Sequence, residues 1–321
     1  MLAESPYWGE IPQRQAEQLV EMTRTAGPQA AWDALRPGLA DPALPDYALS
    51  PRRGAFLPAL LPDGRGCALD IGAGYGAVAR CLTRYFDHVV ALEPVRERVA
   101  FLALCGSPGP GRLDAVRGSW WSIPLAPESL DLITLVGVLE WVGMQPPEDH
   151  APATPRSLQR EFLGSLRALL KPGGRVVVGI ENRYGLDLWR GAPDHLGHRY
   201  TSLLPRWVAD RVVRGQTRGI SRLFHGDSFG KTYPEYRVWT YSARGYQKLF
   251  LDAGFSSIEV LPCWGSYVWP ELVGGSHEVA QRLEPRVTRG RGRLLKRAAW
   301  RVAGSLVTRS LAPSFFLVAE R

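Results

Sequence analysis

The chain has 321 residues, of which 45% are hydrophobic and 22% charged, and it carries a formal net charge of +8. This composition excludes a disordered or collagen-like chain and fits one large domain with insertions or two small domains. The four cysteines lack CxxC spacing, so we expect neither a disulfide framework nor a metal site. The opening residues do not resemble a signal peptide and no apolar run is long enough for a membrane span, so a soluble cytoplasmic protein is expected.

The positive charge is concentrated in one segment near the end of the chain. Residues 282–301 hold eight basic residues and one acid, a local charge of +7 that leaves about +1 for the rest. The segment combines a basic side and an apolar side at helical spacing: Arg293, Arg297 and Arg301 against Leu295, Ala298, Val302 and Leu306. This pattern predicts a basic amphipathic helix. Two interpretations stay open: a solvated face over the core, or peripheral membrane contact through residues 282–309.

The elements in chain order predict an α/β fold. Helices are expected over 11–26 and 28–36, within an N-terminal helical cap at 1–60. Apolar strands then alternate with helical stretches at 76–86, 95–104 and 156–170, as in βαβ units around a parallel sheet. The predicted strands cover 68–71, 88–92, 113–116, 130–136 and 175–180.

The remaining segments are predicted around this core, which covers 61–185. An acceptor-side insertion or lid is expected at 186–237, followed by a returning helix and strand at 238–262. A second, irregular insertion containing the basic helix is expected at 263–312, and a final strand at 313–321.

The strongest chemical signal is the run LDIGAGYG, residues 69–76, where a strand passes into a helix. Glycines at 72, 74 and 76 allow a tight turn and the close approach of a ligand, although an ordinary loop could carry them too. Glu93 ends the next strand, where a carboxylate can accept hydrogen bonds from both hydroxyls of a ribose. The spacing is G-x-G-x-G rather than the dinucleotide G-x-G-x-x-G, and Asp70 precedes it. An acid there disfavours a pyrophosphate and suits a cationic ligand with an amino group and a sulfonium.

These motifs resemble the class I S-adenosylmethionine-dependent methyltransferases. LDIGAGYGAVAR is similar to their first motif and ALEP to the acidic end of their second strand. GSWWSIPLAPESLDLITLVGVLEWV and LLKPGGRVVVGIEN are similar to their later strand regions. The resemblance covers residues 60–185 and implies a Rossmann-like, seven-stranded, mostly parallel sheet with helices on both faces and an antiparallel last strand.

The resemblance also implies S-adenosylmethionine as cofactor, with S-adenosylhomocysteine as product. Asp70, Gly72 and Gly74 would line its methionine end, and Glu93 would bind the ribose. Ser119 stands where the family usually has an acid for the adenine, and Trp120 or Trp121 could stack on that ring. The predicted cofactor-binding residues are Asp70, Gly72, Ala73, Gly74, Gly76, Glu93, Pro94, Ser119 and Trp120. Tyr7 and Trp8 either close over the cofactor or pack in the cap.

The methyl acceptor is predicted from the residues after the fourth and fifth strands. Nucleic acid is not expected, because no N-P-P-Y or D-P-P-Y element follows the fourth strand and the core has no basic groove. Residues 181–198, containing ENRYGL and GAPDHLG, resemble a group of bacterial methyltransferases found with glycan and natural-product assembly enzymes. The predicted substrate-binding residues are Glu140, Asn182, Arg183, Tyr236 and Arg237, with Trp141 as core packing.

A hydroxyl acceptor needs a general base, whereas a carboxylate acceptor does not. His195 is the first candidate because imidazole titrates near neutral pH, and Asp194, Glu181 and His198 are the others. The sequence therefore predicts O-methylation of a small molecule or glycan. Alternatives are carboxylate methylation of a modified peptide, a non-catalytic binding partner with this fold, and a nicotinamide enzyme disfavoured by the glycine spacing.

Overall fold

The computed structural model describes residues 11–61, 65–147, 153–216, 224, 233–290 and 292–321. The chain divides into two compact units. The first runs through Val136 and includes Ala168–Val177 and Arg321, whereas the second comprises Gly137–Arg167 and Val178–Glu320. No helix within the described ranges is long and apolar enough to cross a membrane.

Helices and strands alternate along much of the described chain. The helices are α1 (Gln13–Ala26), α2 (Pro28–Leu35), α3 (Leu44–Ala48), α4 (Leu57–Leu60), α5 (Ala77–Leu82), α6 (Arg96–Cys105), α7 (Pro155–Leu169), α8 (Leu186–Trp189), α9 (Arg206–Val213), α10 (Ala243–Asp252), α11 (Ser276–Val287) and α12 (Arg293–Leu311). The strands are β1 (Cys67–Ile71), β2 (His88–Glu93), β3 (Arg112–Arg117), β4 (Leu130–Val136), β5 (Leu170–Glu181), β6 (Ser257–Gly265), β7 (Pro270–Val273) and β8 (Ser314–Glu320). All five strands predicted for the core are present, and β5 begins earlier than expected, at Leu170 just before the KPGG sequence.

The strands follow the order β3-β2-β1-β4-β5-β8-β6-β7. Strand β1 pairs in parallel with β2 and with β4, and β2 pairs in parallel with β3. The last strand, β8, runs antiparallel to β6, as the resemblance implied. The fold is therefore α/β with a mostly parallel sheet, as predicted.

The sheet has eight strands, so the prediction of seven was wrong. The additional strand, β7, pairs antiparallel with β6 across a short turn. Gly265 makes this turn at φ +89°, and a Cβ there would lie 2.4 Å from the carbonyl oxygen of Trp269. Only glycine fits such a position, so this residue allows the chain to fold back as an edge hairpin.

The second insertion was expected to be irregular, and this was also wrong. Two helices, α11 and α12, make up most of it and pack against each other. The indole Nε1 of Trp300 on α12 donates to the carbonyl of Ala280 on α11 at 2.7 Å. The basic helix predicted in this segment is α12.

In the first unit, the N-terminal helices pack onto α6 and onto the glycine-rich turn. The buried indole of Trp32 on α2 meets the ring of Tyr75 edge-on at 4.9 Å and that of Phe101 at 5.9 Å. Tyr75 belongs to the turn and Phe101 to α6, so one aromatic cluster joins the cap to the sequence that carries the chemical motif. Each edge-to-face pair adds about 0.5–1.5 kcal/mol to the effect of burial.

We predict that Trp32→Ala lowers the free energy of unfolding by about 3–5 kcal/mol, because it leaves a cavity and removes two ring contacts. Urea unfolding followed by circular dichroism measures the change. Trp189→Ala is the matched control, since the Trp189 side chain is largely exposed and its loss should cost less than about 0.5 kcal/mol. Equal destabilisation by both substitutions would contradict the proposed role of the cluster.

Candidate functional site

The turn after β1 is built for close approach of a ligand. Gly72, Gly74 and Gly76 all have positive φ, at +67°, +56° and +88°. The amides of Gly72 and Ala73 donate to the carbonyl of Leu92 on β2, which fixes the turn against the neighbouring strand. A Cβ on Gly76 would lie 2.1 Å from Leu102, whereas a Cβ on Gly74 would meet nothing within 4 Å. Gly76 thus serves packing, and the chain at Gly74 borders open space.

Glu93 holds this turn through both of its carboxylate oxygens. Oε2 accepts from the amide of Gly74 at 2.9 Å, and Oε1 accepts from the amide of Val95 at 3.1 Å. The guanidinium of Arg98 lies 3.7 Å from Oε1, so the buried charge is paired. Each carboxylate oxygen can accept a further hydrogen bond, which leaves capacity for the two hydroxyls of a ribose.

Asp70 is buried at the end of β1 and is only partly satisfied. Oδ1 accepts from the hydroxyl of Thr134 at 2.6 Å, but among the described residues Oδ2 accepts no hydrogen bond of normal geometry. Burial raises the pKa of Asp70 to about 7, against the lowering effects of the Thr134 hydroxyl, the Arg53 charge and the Ala79 backbone amide. A buried carboxylate with an unused oxygen fits a ligand that brings a positive charge and N–H donors.

The predicted adenine position combines a polar and an aromatic residue. The hydroxyl of Ser119 accepts from the amide of Trp121 at 3.2 Å, so one of its acceptor sites is used locally. A serine hydroxyl can also donate its O–H and accept a second hydrogen bond. Trp120 is buried, and the carbonyl of Pro94 accepts from Arg117. Tyr7 and Trp8 lie outside the described residues.

The residues of this first site fit S-adenosylmethionine. Asp70 would hold its cationic methionine end, Glu93 would hold the ribose, and the open backbone at Gly74 would admit the ligand between them. Thr134 was missed by the sequence analysis. Its signal was a hydroxyl inside the otherwise apolar strand DLITLV, where a buried polar group needs a partner.

A second constellation lies in the other unit and brings together three predicted residues. Nε2 of His195 lies 2.5 Å from Oε2 of Glu181 and 3.3 Å from Oε1 of Glu140. Glu181 is the last residue of β5, whereas Glu140 lies in the 3-10 helix Leu139–Met144 that follows β4. Trp141 is buried, as expected for core packing, and its ring centroid is 5.0 Å from that of His195. We refer to His195, Glu140 and Glu181 as the Glu–His–Glu cluster.

The two carboxylates change the proton chemistry of His195. Burial by itself would lower the pKa of the imidazole, but the charges and hydrogen bonds of Glu181 and Glu140 raise it well above its usual value. Burial raises the pKa of Glu140, and the contact with His195 opposes that rise. The two carboxylates therefore favour the imidazolium form of His195, and its pKa lies above the ordinary imidazole value on which the sequence-based expectation rested. No group of metal-ligating side chains in the described ranges has the arrangement of a metal site.

Asp194 and His198, the other candidate bases, serve the loop in which they lie. Oδ1 of Asp194 accepts from the amides of Leu196 and His198, and Oδ2 accepts from the hydroxyl of Thr201. The carboxylate thereby closes a turn on itself instead of orienting the imidazole of His195. His198 is fully buried, and its ring lies 6.3 Å from that of Tyr233.

Two residues assigned to substrate binding connect the end of β5 to distant backbone. Asn182 is buried, and its Nδ2 donates to the carbonyls of Ser310 and Ala312. Arg183 donates to the carbonyls of Ser202 and Leu204 at 2.8 and 2.6 Å. Their polar atoms thus bind the protein itself.

The aromatic loop at 231–241 is similar, although Lys231 and Thr232 lie outside the described residues. Arg237 donates to the carbonyls of Gly143 and Ala153 and pairs with Glu235 at 2.7 Å. Tyr236 is buried beside Ser202, and burial raises its pKa to about 12. These contacts fit a loop that covers the core rather than an exposed platform on which a substrate ring could stack.

We predict that Asp70→Asn stabilises the ligand-free protein at high pH. Folding raises the pKa of Asp70 from 3.8 to about 7, so between these values the folded state binds more protons and loses stability as the pH rises. The variant should gain about 1–3 kcal/mol at pH about 8, and nothing below pH about 4, in urea unfolding. Its affinity for S-adenosylmethionine should fall about tenfold or more.

Asp33→Asn, on the exposed surface of α2, is the control for this experiment and should change neither quantity. A pH-independent stability change in Asp70→Asn, or unchanged affinity for S-adenosylmethionine, would contradict the assignment.

We predict that Asn182→Ala lowers the free energy of unfolding by about 2–4 kcal/mol. The substitution leaves the carbonyls of Ser310 and Ala312 and the amide of Tyr184 without the hydrogen bonds that Asn182 makes to them. Thermal and urea unfolding measure the loss, with the exposed Gln281→Ala as the amide control. If Asn182→Ala instead had wild-type stability and a raised KM for an acceptor, Asn182 would be assigned to substrate binding.

Comparison with known proteins agrees with the first site. Residues 69–178 match the family described as methyltransferase domain, and a search of curated proteins finds no significant match. One similar solved structure is an S-adenosylmethionine-dependent methyltransferase from Methanosarcina mazei, with 12% identity over 83% of this chain and 96% of that chain and a TM-score of 0.47. A second, from Mesorhizobium loti, has 17% identity over 84% of this chain and 98% of that chain and a TM-score of 0.43. Another is Haemonchus contortus phosphoethanolamine N-methyltransferase 2 with phosphomonomethylethanolamine and S-adenosylhomocysteine (13%, 94% and 59%, 0.46). Similarity at this level concerns the fold alone.

The matched segment contains β1 with its glycine turn and also Glu93 and Thr134. Residues 69–178 therefore match the methyltransferase domain family, and the residues of the first site fit S-adenosylmethionine as the cofactor.

Proposed function

We propose that the protein methylates a hydroxyl oxygen of a small molecule or glycan, with the Glu–His–Glu cluster removing the proton. The observation that supports this is the contact of one imidazole nitrogen, Nε2 of His195, with two carboxylates at 2.5 and 3.3 Å. A buried imidazole paired in this way is oriented, and its basicity is raised.

The tautomer follows from these partners. Nε2 is the ring nitrogen that lies beside both carboxylates, so in the neutral ring we assign the proton to Nε2 and the accepting lone pair to Nδ1. When bound, S-adenosylmethionine supplies an electrophilic methyl group on a sulfonium. Methylation of a hydroxyl would break the C–S bond of the sulfonium, release S-adenosylhomocysteine and free the hydroxyl proton, which Nδ1 of His195 would accept. The resulting imidazolium is stabilised by Glu181 and Glu140.

The electrostatics of the cluster favour a hydroxyl over a carboxylate acceptor. A carboxylate acceptor has no proton to lose, so its methylation needs no general base such as His195. Two glutamates would also repel a third carboxylate brought beside them in a poorly solvated place. A neutral hydroxyl avoids this repulsion and uses the base.

The same cluster argues against a non-catalytic binding partner. Burying the carboxylate of Glu140 and most of the His195 ring costs free energy, and replacing such groups by apolar residues is often neutral or stabilising. A protein that only binds would not need this arrangement, which is typical of acid–base sites. The resemblance of residues 181–198 to bacterial glycan and natural-product methyltransferases supports the proposed acceptor class.

The direct test is transfer of a deuterated methyl group from S-adenosylmethionine to a panel of sugar and phenol hydroxyls, carboxylates and amines, followed by mass spectrometry. Label on hydroxyl oxygen is the expected result. Label confined to a carboxylate or an amine would contradict the proposed acceptor, while failure to label any acceptor class together with tight binding of S-adenosylmethionine would favour the non-catalytic alternative.

We predict that kcat/KM rises with pH along a limb whose apparent pKa is well above 6.5, because the reactive form is the neutral ring. Glu181→Gln removes the largest contribution that raises this pKa, so the limb should move to lower pH by about one unit or more. Full pH profiles with the identified acceptor measure the shift.

His195→Asn should lower kcat about 10²–10⁴-fold without changing the affinity for S-adenosylmethionine. His277→Asn, at an exposed position on α11, is the matched control and should keep wild-type activity. An unshifted limb in Glu181→Gln would show that a different group titrates.

A further inference from the structure

The outward side of α12 is apolar. Leu294, Leu295, Val302 and Leu306 are 81%, 79%, 89% and 68% exposed. We call these four residues the outer face of α12. An isolated exposed leucine is common on protein surfaces, but four large apolar side chains on one helix form a patch that calls for a partner.

The buried side of the same helix explains why the apolar residues point outward. Trp300 donates to the carbonyl of Ala280, and Thr308 donates to that of Ser276, both on α11. Between them, a Cβ on Gly304 would lie 2.9 Å from the Trp300 ring, so the small residue lets the indole lie flat on the helix. This stripe of Trp300, Gly304 and Thr308 fixes the rotation of α12.

Helical geometry gathers the outer face into one strip. At about 100° per residue, its four members fall within a sector of roughly 120°, centred about 140° away from the buried stripe. Along the axis they extend over about 18 Å. The strip is therefore continuous and accessible, and its side chains do not contribute to the core.

The surrounding charge is of one sign. Residues 285–319 contain eight basic residues and no acidic residue. Arg297 pairs with Glu284 at 3.0 Å, whereas neither Arg293 nor Arg301 forms an ion pair within the described parts of the chain. At about 100° per residue, Arg301 falls beside the sector of the outer face and Arg309 within it, and neither forms an ion pair in the described parts of the chain. The outer face is thus an apolar strip accompanied by uncompensated positive charge.

We propose that the outer face of α12 docks onto an anionic lipid surface, with its leucines and valine entering the headgroup boundary and the arginines meeting lipid phosphates. A fluid lipid surface accepts apolar side chains without a complementary shape and supplies the negative charge that this segment lacks. A second copy of the chain is a poorer occupant, because a two-fold contact would bring the arginines of both copies together. A nucleic acid would leave the apolar strip against phosphates.

Co-sedimentation with vesicles of phosphatidylcholine, alone or with one third phosphatidylglycerol, tests the proposal on the full chain. The wild type should bind the anionic vesicles in about 0.1 M salt and much less in about 1 M salt. The triple variant Leu295→Ser, Val302→Ser, Leu306→Ser should bind at least about tenfold more weakly, because it loses the inserted apolar groups. Arg301→Gln with Arg309→Gln should weaken binding to the anionic vesicles alone, because these two arginines lie beside and within the sector of the outer face.

Leu251→Ser is the matched control, because Leu251 is 53% exposed on α10 and lies outside the outer face. It should bind like the wild type, and all variants should keep the wild-type melting temperature. Absence of binding to anionic vesicles at low salt overturns the proposal, as does binding that the triple variant retains. A dimer that the triple variant abolishes, with no vesicle binding, would assign the face to self-association.

Discussion

The burial of carboxylates near the ends of the parallel strands is the constraint on which both candidate sites depend. Asp70, Glu93 and Glu140 are almost completely buried, and each needs donors that water no longer supplies. Thr134 meets one oxygen of Asp70, and two backbone amides with Arg98 meet Glu93. The hydrogen bond from the Gly74 amide to Glu93 therefore helps to fix the shape of the glycine turn. At Asp70, we expect the cofactor to provide the hydrogen-bond donor that the described residues do not provide to Oδ2.

Glu140 meets the same constraint in a different way, because its compensating group is itself titratable. His195 lies between the buried Glu140 and the partly exposed Glu181, and the two carboxylates raise the pKa of its imidazole. The loop that carries His195 is held by the carboxylate of Asp194 and by Arg183. Asp194, a candidate base in the sequence, therefore uses its carboxylate to hold its own loop.

The sequence was sufficient for the core strands because long apolar runs bounded by glycine are a strong signal, and for Asp70 and Glu93 because their spacing is tied to the glycine motif. It was insufficient for β7, since four residues such as PELV are too short to show a period. It could not separate Asn182 from a substrate ligand, because an amide that binds distant carbonyls and one that binds an acceptor look alike in sequence. For α12 the amphipathic pattern was correct, but only the packing of Trp300 and Gly304 showed that the apolar side faces outward.

We infer that the cofactor supplies a hydrogen-bond donor and positive charge to the buried carboxylate of Asp70, whose Oδ2 is incompletely hydrogen-bonded by the described part of the chain. Calorimetric titration of S-adenosylmethionine at pH about 7, in buffers of different ionisation enthalpy, counts the protons exchanged on binding. Because the pKa of Asp70 is about 7 without ligand, binding to the wild type should release about half a proton more than binding to Asp70→Asn. Equal proton exchange in the two proteins would contradict the account, because Asp70 would then keep its protonation state when the cofactor binds.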